Sequence, residues 1–444
     1  MAEKISNISS ALSVSPHNPI ILYDYDGSII ASYTKTQFIA LEEYPLPPSH
    51  EDLIFDEYNW SLSEAKTYLS THDNLYIGAI YKTVDDATIL YIDVDENFNS
   101  VTISYAINGT SSIDWGDGLI PTTVTGSSES SIISSSRNLP SGIHKVKITT
   151  SDDAKIVITG GTNGTTLVDY PQDQIYPYVN RLQKIVLGNA KIGNGAFRNT
   201  YGIENIIMTN KCIWIDNTSN NFQYTKSLYH LNLPKSVTTI TPSCLSNSGV
   251  TTISLPSTLT TLKDYSFNTS NVEKLSIPNS TTTFFLNALT SAQSIRICEL
   301  PDSVSNLASE IFSGCRCLEK IKLPTMTSYQ ANYTSLFNNC ESLKEVIIPE
   351  QYTAITNNMF NGCKSLLSIK LPKNINSIGS YFMDNSSLRV IDCTELIQVP
   401  SLGSTPLNVP PTYRFIVPDS LYESWIQTTN WSTISSHIIK ESDL

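Results

Sequence analysis

A short motif that recurs along much of the chain constrains the fold more than any other feature of the sequence. Residues 360–372 read FNGCKSLLSIKLP, and residues 337–349 read FNNCESLKEVIIP. Each of these two copies places a Phe six residues before a Leu, continues with apolar residues in alternation, and ends on Pro. Copies recur about every 22–25 residues, a period that indicates a solenoid built from one strand-containing unit per repeat.

The chemistry of one copy explains why the copies must stack. The alternating apolar residues point to one face of a short strand, and the Pro that follows ends it. One copy cannot bury its own apolar edge, so stacked copies are predicted to form a curved solenoid with a parallel sheet on one side. About nine or ten copies fit between residues 180 and 400, and the alignment places Cys244 at the Phe position of one of them. The predicted repeat core includes Phe312, Phe337, Phe360, Phe382, Leu318, Leu343, Leu366 and Leu388.

The repeat pattern resembles the BspA-like leucine-rich repeats of proteins from gut and oral bacteria and their phages. The resemblance includes the C-terminal segment YRFIVPDSLYESWIQTTNWSTISSHI. It implies a leucine-rich repeat solenoid at 179–410 and a C-terminal cap at 411–444, where a short helix bearing Trp425 and Trp431 covers the open end of the solenoid. The family also implies binding and adhesion rather than catalysis.

The region before the repeats is predicted to be β-rich as well. Residues 99–160 contain VTISYAINGTSSIDWGDG, where alternating apolar residues mark a strand and Asp117-Gly118 marks a hairpin turn. The IDWGDG motif resembles PKD-type immunoglobulin-like sandwiches, which implies a structural core role for Trp115. The overall prediction is therefore a mostly β chain with an Ig/PKD-like sandwich ahead of the solenoid.

Residues 19–98 predict a β-rich N-terminal domain with one helix. Asp26-Gly27 indicates a hairpin, and Ser61 with Glu64 has the spacing of a capping box at a helix start. The arrangement of this domain resembles the N-terminal regions of leucine-rich repeat proteins encoded by gut phages and prophages. Residues 1–18 are predicted to be a flexible arm or an anchoring peptide, and residues 161–178 a linker.

Charge and hydropathy exclude two classes of partner. The formal net charge is −13, so the chain lacks the basic footprint of a nucleic-acid-binding protein. No run approaches 18 apolar residues, so we expect no membrane insertion. The N-terminus MAEKISNISS has no apolar h-region, and we expect no cleaved secretory signal.

A column of cysteines is the first candidate for site chemistry. Cys315, Cys340 and Cys363 occupy one repeat phase. They could form a stacked metal or disulfide column, since neighbouring rungs approach disulfide distance. The favoured interpretation is a column of small buried residues with free thiols, because Cys is among the most buried residue types.

The other polar clusters favour structural roles. Pairs of aspartates could ligate Ca²⁺, but none fits an EF-hand loop, and Asp is common in turns because it bonds to its own backbone. We therefore predict no metal, no cofactor and no catalytic residue. The aspartate pairs are Asp24 with Asp26, Asp93 with Asp95, and Asp114 with Asp117.

Tyrosines are the main hint of an interaction surface. Tyrosine combines apolar area with a polar tip, which suits contact surfaces, although ordinary packing within a sheet domain explains the residues equally well. The candidate surface consists of Tyr23, Tyr25, Tyr33, Tyr44 and Tyr58.

These features together favour a non-enzymatic protein of a phage virion, of the fibre or decoration type. Its N-terminal region would bind capsid or tail proteins, and its repeats would bind a glycan or protein on the host surface. We expect a homo-oligomer, with a trimer favoured. The alternative is a bacterial cell-surface adhesin with the same repeats. A third hypothesis, an enzyme that uses the repeats for targeting, has no visible catalytic constellation in residues 20–170.

Overall fold

A computed structural model of the chain describes residues 19–96, 99–151, 153–161, 164–165, 167–168, 182–214, 218–305, 307–325, 334–404 and 410–444. The chain forms two compact units, Met1–Leu259 and Thr260–Leu444. The mostly β architecture predicted from the sequence is confirmed. The predicted arm, 1–18, and most of the predicted linker, 161–178, lie outside the described residues.

A small mixed sheet with two helices opens unit 1, and we call it the N-terminal sheet domain. Its elements are β1 (Ile20–Tyr23), β2 (Ile29–Tyr33), α1 (Lys35–Ile39), β3 (Ile54–Tyr58), α2 (Leu62–Leu69) and β4 (Leu75–Lys82). The strand order is β2-β1-β4-β3, with β1 parallel to β4. The predicted hairpin joins β1 to β2, since Gly27 adopts φ +84° and Ser28 N donates to Asp26 Oδ1 over 2.9 Å. The predicted capping box starts α2, where Ser61 and Glu64 each bond the other's backbone N–H.

A nine-stranded sheet follows and runs directly into the first repeats. Its strands are β5 (Thr88–Val94), β6 (Ser100–Asp114), β7 (Thr122–Asn138), β8 (Gly142–Thr150), β9 (Ile156–Ile158), β12 (Leu182–Leu187), β13 (Ala190–Ile192), β14 (Asn205–Met208) and β15 (Ile213–Trp214), and a separate pair consists of β10 (Gly160–Gly161) and β11 (Gly164–Thr165). The order is β14-β12-β5-β8-β6-β9-β13-β15, with β7 paired to β6. β5 pairs with both β8 and β12, so the domain boundary predicted at residue 98 falls after a strand of this sheet.

The long β6–β7 hairpin carries the predicted sandwich motif. Trp115 is fully buried, and its Nε1 donates to Thr122 Oγ1 over 2.9 Å. The Arg137 guanidinium lies 5.7 Å from the Trp115 ring centroid and also pairs with Asp117. The strands are antiparallel, as in a sandwich, while the immunoglobulin-like identity of this region stays a prediction.

The repeats contribute short parallel strands in each unit. In unit 1 these continue with β16 (His230–Asn232), β17 (Thr239–Ile240) and β18 (Thr252–Ser254). In unit 2 they are β19 (Thr261–Leu262), β20 (Leu275–Ser276), β21 (Thr283–Phe284), β22 (Ile297–Glu299), β23 (Lys320–Lys322), β24 (Glu345–Ile347), β25 (Ala354–Ile355), β26 (Ser368–Lys370), β27 (Ser377–Ile378), β28 (Val390–Asp392), β29 (Ser401–Leu402), β30 (Arg414–Val417) and β31 (Ile438–Lys440). The main sheets of unit 2 have the orders β20-β22-β23-β24 and β26-β28-β30-β31.

The segment before each of the strands β14, β16, β18, β20, β22, β23, β24, β26 and β28 is a turn with two left-handed residues. Between them lies the buried side chain at the Phe position of the repeat, which we call the plug. One left-handed residue stands two positions before the plug and the other two positions after it, as with Asn358 and Gly362 around Phe360. The N–H groups of Asn358, Phe360 and Gly362 donate to carbonyls of the next repeat over 3.1, 2.7 and 2.8 Å. The turns therefore form a second backbone ladder, and the plugs Phe337 and Phe360 stack with ring centroids 5.9 Å apart.

Two assignments of the plug position are wrong by one residue. In the third and last copies the left-handed residues flank Leu245 and Met383 rather than Cys244 and Phe382. Phe382 is still buried, but its carbonyl accepts from Phe360 N, a role that belongs to the residue before the plug. The backbone geometry of the turn, which the Phe pattern does not encode, sets the phase in these copies. The other predicted core residues, Phe312, Phe337, Phe360, Leu318, Leu343, Leu366 and Leu388, are all buried.

The C-terminal segment closes unit 2. It contains α3 (Tyr422–Gln427) and 3-10 turns at Asp419–Leu421, Trp431–His437 and Glu441–Asp443. Trp425 and Trp431 are fully buried, with ring centroids 5.3 Å apart. Trp431 Nε1 donates to Pro400 O over 2.7 Å, and β31 adds a last parallel strand beside β30.

Candidate binding surface

The main strands of unit 2 expose one face, which we call the outward face. In KIK at 320–322 the central Ile is buried and both lysines are exposed, because alternate residues of a strand point to opposite sides. In β22, β26 and β28 the central residue is likewise buried, and in β24 the central Val346 is half-buried between two exposed residues. The outward face consists of the outward strand residues and of the residue that directly precedes each of these strands: Arg296, Ile297, Glu299, Glu319, Lys320, Lys322, Lys344, Glu345, Ile347, Leu367, Ser368, Lys370, Arg389, Val390, Asp392 and, in β30, Arg414.

Ion pairs run across the strands of this face. Glu319 accepts from Arg296 Nη2 and from Lys344 Nζ, each over 2.7 Å. These bonds hold the pKa of Glu319 below its usual value. One residue further along the chain, Lys320 Nζ lies 2.9 Å from Glu345 Oε1. These two residues are directly paired in the register of β23 with β24.

Positive charge nevertheless exceeds negative charge on the outward face. Its seven Lys and Arg side chains face four Asp and Glu side chains, a formal net charge of +3. The whole chain carries −13. The face therefore has the sign opposite to that of the rest of the molecule.

Four aliphatic side chains are interspersed with these charges. Leu367 is 55% exposed and Ile297 is 49% exposed, while Ile347 and Val390 are each more than a third exposed. These four side chains lie on the two main sheets of unit 2, and exposed aliphatic groups next to charged groups are typical of a contact surface.

The corresponding strand positions are covered in unit 1. His230 and Asn232 of β16 and Ser254 of β18 stand at outward positions, and all three are buried. The cover is the N-terminal sheet domain, since Asn232 Nδ2 donates to Asp24 O over 3.1 Å. Gly78 permits this approach, because a Cβ there would lie 2.3 Å from Asn232 Cγ.

Two residues that follow β3 anchor this contact. Asn59 is fully buried, and its Nδ2 donates to Leu233 O over 3.0 Å and to Ser254 Oγ over 2.6 Å. Trp60 Nε1 donates to Leu255 O over 2.8 Å. In unit 1 the outward positions of the repeats thus already hold a protein domain.

The covering region is strongly acidic. The N-terminal sheet domain, residues 19–82, contains ten Asp and Glu against three Lys and no Arg, a formal net charge of −7. Lysines from later in unit 1 pair with it at Lys235–Glu57 (2.7 Å) and Lys145–Asp52. More than half of the net negative charge of the chain therefore lies in this domain.

The tyrosines predicted as an interaction surface lie in the N-terminal sheet domain, and two of them are not at the surface. Tyr23 is 3% exposed, with its ring centroid 5.1 Å from that of His230, and Tyr58 is 4% exposed in the core of the domain. The prediction is wrong for these two, because their strands face the core and the repeats. The other three, which are partly buried and whose interaction role stays a prediction, are Tyr25, Tyr33 and Tyr44.

A cavity of about 260 Å³ lies beside these tyrosines in unit 1. Tyr58 Oη and Trp60 Nε1 donate to backbone carbonyls, at 2.9 and 2.8 Å, and Glu57 pairs with Lys235. These polar groups already have partners within the chain, so the cavity presents mainly apolar walls. It is lined by Tyr44, Pro45, Leu46, Phe55, Glu57, Tyr58, Trp60, Ser61, Leu62 and Lys235.

The contacts of the aspartates are those of turns and of a buried network. Asp114 accepts from Gly116 N and Asp117 accepts from Leu119 N, each over 3.0 Å. Asp24 is buried and bonds to Tyr81 Oη, His50 Nε2 and a backbone N–H. In the part of the chain that the structure describes, no three His, Cys, Asp or Glu side chains form a group that could hold a metal ion.

The cysteine column consists of buried free thiols, as the favoured interpretation predicts. All eight cysteines are free, and Cys317 alone is exposed. Cys340 Sγ donates to Phe312 O over 3.0 Å, and Cys363 Sγ donates to Phe337 O over 3.2 Å. Burial raises the pKa of the Cys363 thiol to about 12. The column satisfies backbone carbonyls inside the repeats.

The repeats match the BspA type leucine rich repeat region in six copies, over residues 190–315 and 286–402. The repeat region is therefore similar to the BspA type. The match covers slightly less than half of the chain, and residues 19–160 lie outside it. The resemblances of those residues to PKD-type sandwiches and to phage proteins stay predictions.

Solved structures of bacterial proteins are also similar to this chain. A leucine-rich repeat protein from Bacteroides ovatus has 19% identity and a TM-score of 0.45, over 60% of this chain and 66% of that one. A leucine rich cell surface protein from Faecalibacterium prausnitzii has 16% identity and a TM-score of 0.30, over 56% and 90%. The pneumococcal vaccine antigen PcpA has 17% identity and a TM-score of 0.34, over 61% and 80%. The chain spans just under two thirds of the first of these.

No curated protein matches the chain. No helix in the described ranges has the length and apolarity needed to cross a membrane.

The sequence contains a signal for the outward face, but an alignment of the buried repeat positions does not use it. Segments such as KIK (320–322), EVI (345–347) and VID (390–392) place one inward residue between two outward residues. Comparing those outward positions between copies would have identified the charged and aliphatic rows. No local pattern signals Asn59 or Asn232, because the groups that accept hydrogen bonds from their Nδ2 atoms lie more than 150 residues away in the sequence.

Proposed function

We propose that this chain is a non-enzymatic binding protein that recognises a cell-surface ligand through the outward face of its BspA-type repeats. The observation that carries the proposal is the combination of exposed aliphatic and charged side chains on that one face. The equivalent positions in unit 1 are already used for a protein contact. The ligand class predicted from the sequence is a glycan or protein on a host cell.

The binding role is tested by labelling the full-length chain and measuring its attachment to cells of the source culture. Ile347→Asp with Leu367→Asp should reduce attachment at least about tenfold, because both side chains lie at the centre of the face. Leu286→Asp, an exposed leucine off this face in the same unit, is the matched control and should leave attachment unchanged. Equal attachment by all three proteins would contradict the proposal.

Two kinds of particle could carry this protein. On a phage virion it would be a fibre or decoration protein attached to capsid or tail proteins through its N-terminal region. On a bacterial cell surface it would be an adhesin. Mass spectrometry of density-gradient fractions from a lysed source culture distinguishes them. Banding with DNA-filled particles at a fixed ratio to the capsid protein supports the virion, and retention with cell envelopes supports the adhesin.

A further inference from the structure

We propose that the outward face of unit 2 binds an acidic protein surface. This inference rests on the proposed function, because it names the ligand class of the same face. The first argument is charge. Seven cations and four carboxylates give this face a formal net charge of +3, whereas the whole chain has a formal net charge of −13. A local charge of opposite sign attracts anionic partners to one face and orients them as they approach.

The internal ion pairs of the face do not cancel this excess. Glu319 neutralises parts of two cations, Arg296 and Lys344, and Glu345 pairs with Lys320. Lys370 pairs with Glu395, which follows β28, and counting that carboxylate lowers the formal charge of the face from +3 to +2. Lys322 projects from the same strand as Lys320 and is also exposed. Cations held in fixed positions by such pairs lose less side-chain freedom when a carboxylate of a partner approaches.

The aliphatic side chains favour a protein over an acidic glycan. Ile297, Ile347, Leu367 and Val390 are exposed between the charges and need apolar partners to be buried. A protein surface supplies such partners, whereas a polysaccharide offers few. Interfaces between proteins combine an apolar centre with charged and polar surroundings in this way.

The contact within unit 1 shows what this repeat phase accepts. There the outward residues Asn232 and Ser254 bond to the Asp24 carbonyl and to the Asn59 amide, and the nearby Lys235 pairs with Glu57, in a domain with a formal charge of −7. The ligand on that part of the repeats is thus a protein domain of net negative charge. In unit 2 the equivalent strand positions are charged instead of neutral, with the cations Lys320, Lys322, Lys370 and Arg414 beside the anions Glu299, Glu345 and Asp392, so charge contributes more to the choice of partner there.

The experiment measures binding of the full-length chain to labelled poly-L-glutamate by fluorescence anisotropy. A protein of net charge −13 repels a polyanion over most of its surface, so binding reports a local site. We expect binding in about 50 mM NaCl that weakens at least about tenfold in about 300 mM NaCl. No detectable binding at the lower salt concentration would overturn the inference.

Two variants localise the site. Lys320→Glu with Lys322→Glu should weaken binding at least about tenfold. Lys364→Glu with Lys373→Glu is the matched control, because these lysines are similarly exposed in the same unit, lie off the face and also pair with glutamates. Lys322→Ala with Arg389→Ala serves as a second variant in case charge reversal disturbs the fold. Equal losses in the face and control variants would overturn the inference.

Two further measurements separate the alternatives. Heparin binding that is tighter than poly-L-glutamate binding and lost in the same face variants would overturn the inference in favour of an acidic glycan. Sedimentation that shows self-association, abolished by Lys320→Glu with Lys322→Glu, would support it and identify the acidic region of a second copy as the partner. If cell attachment depends on Ile347 and Leu367 while poly-L-glutamate does not bind, the acidic-partner inference fails and the proposed function stands.

Discussion

His230 shows how one buried side chain couples the N-terminal sheet domain to the repeats of unit 1. Its Nδ1 lies 2.6 Å from Thr252 Oγ1, and its Nε2 lies 2.7 Å from Asn232 Oδ1. Gly27 packs so closely that a Cβ there would lie 2.9 Å from His230 Cβ. Burial lowers the pKa of His230 to about 4, although Asn232 and nearby carboxylates favour the charged form.

This lowered pKa predicts a loss of stability in mild acid. The unfolded chain binds a proton at His230 below about pH 6.5, whereas the folded chain does so only below about pH 4. Unfolding therefore becomes easier as pH falls from about 6.5 to 4, by up to about 3 kcal/mol. His230→Gln should lower stability at pH 7 but flatten this pH dependence in chemical denaturation of unit 1. His144→Gln is the control, and a slope unchanged by His230→Gln would contradict the assignment.

Asn59 contributes through hydrogen bonds that no other residue replaces. Its Nδ2 donates to Leu233 O and Ser254 Oγ, and its Oδ1 accepts from Gly78 N over 2.9 Å. Asn59→Ala should destabilise unit 1 by about 2–4 kcal/mol, because buried polar groups would be left without partners. Hydrogen exchange at the Gly78 amide checks this locally and should accelerate. Asn374→Ala, which removes a half-buried asparagine bonded to one carbonyl, should have little effect on stability.

At the scale of the repeat, the left-handed turn positions favour Gly or Asn, but some copies have other residues there. Gly362 adopts φ +74°, and a Cβ there would lie 2.4 Å from Asn339 Oδ1. Tyr381 adopts φ +56° with a bulky side chain, at a turn position where another copy has Asn358. A non-glycine residue pays a steric cost in this region, which Asn tolerates better than most.

This preference predicts opposite outcomes for two substitutions in unit 2. Gly362→Ala should destabilise by about 1–2 kcal/mol, because both the backbone region and the space disfavour a Cβ. Tyr381→Asn should stabilise by roughly 0.5–1 kcal/mol, because Asn adopts the same conformation more readily. Thermal unfolding of both variants measures the two signs. A destabilised Tyr381→Asn would mean that the Tyr side chain makes a compensating contact.

The cysteines predict a simple chemical titration. Seven of the eight are buried, and burial raises the pKa of the Cys315 thiol to about 12, so these thiols stay protonated and inaccessible. The native chain should react with one equivalent of Ellman's reagent, at the exposed Cys317. Denaturant should reveal all eight thiols. Cys317→Ser should abolish the native reaction, and a second fast-reacting thiol in that variant would contradict the buried column.

How much of the fold and of the binding surface could be predicted depends on how far apart in the sequence the interacting residues lie. Phe337 and Leu343 were predictable, because burial of a strand face leaves a periodic pattern within one repeat. The plug at Met383 was not, because turn dihedrals shift it by one residue. The burial of Tyr23 depends on contacts with repeats some 200 residues later, for which one sequence carries no signal. The outward face was visible in the alternation at Lys320 and Lys322 but required the strand register to interpret.

At the scale of the whole chain, each unit pairs a terminal repeat strand with a strand from outside the repeats. In unit 1 the first repeat strand, β12, pairs antiparallel with β5, and in unit 2 the last repeat strand, β30, pairs with β31. Unpaired edge strands of a parallel sheet would otherwise present free N–H and C=O groups to other chains. Unit 1 thus uses a strand from the preceding sheet, and unit 2 uses a Trp-bearing cap.

The cap gives the last prediction. Trp431 packs edge-on against Phe415 of β30, with ring centroids 4.8 Å apart, and its Nε1 bonds to Pro400 O. Trp431→Ala should destabilise unit 2 by about 3–5 kcal/mol, because it empties a large buried volume and frees a buried carbonyl. Since the cap also shields the edge of β30, the variant should form oligomers that grow with concentration in sedimentation velocity runs. Glu423→Ala, an exposed change in the same cap, should do neither. A Trp431→Ala protein that stays monodisperse and stable would mean that β31 alone closes the array.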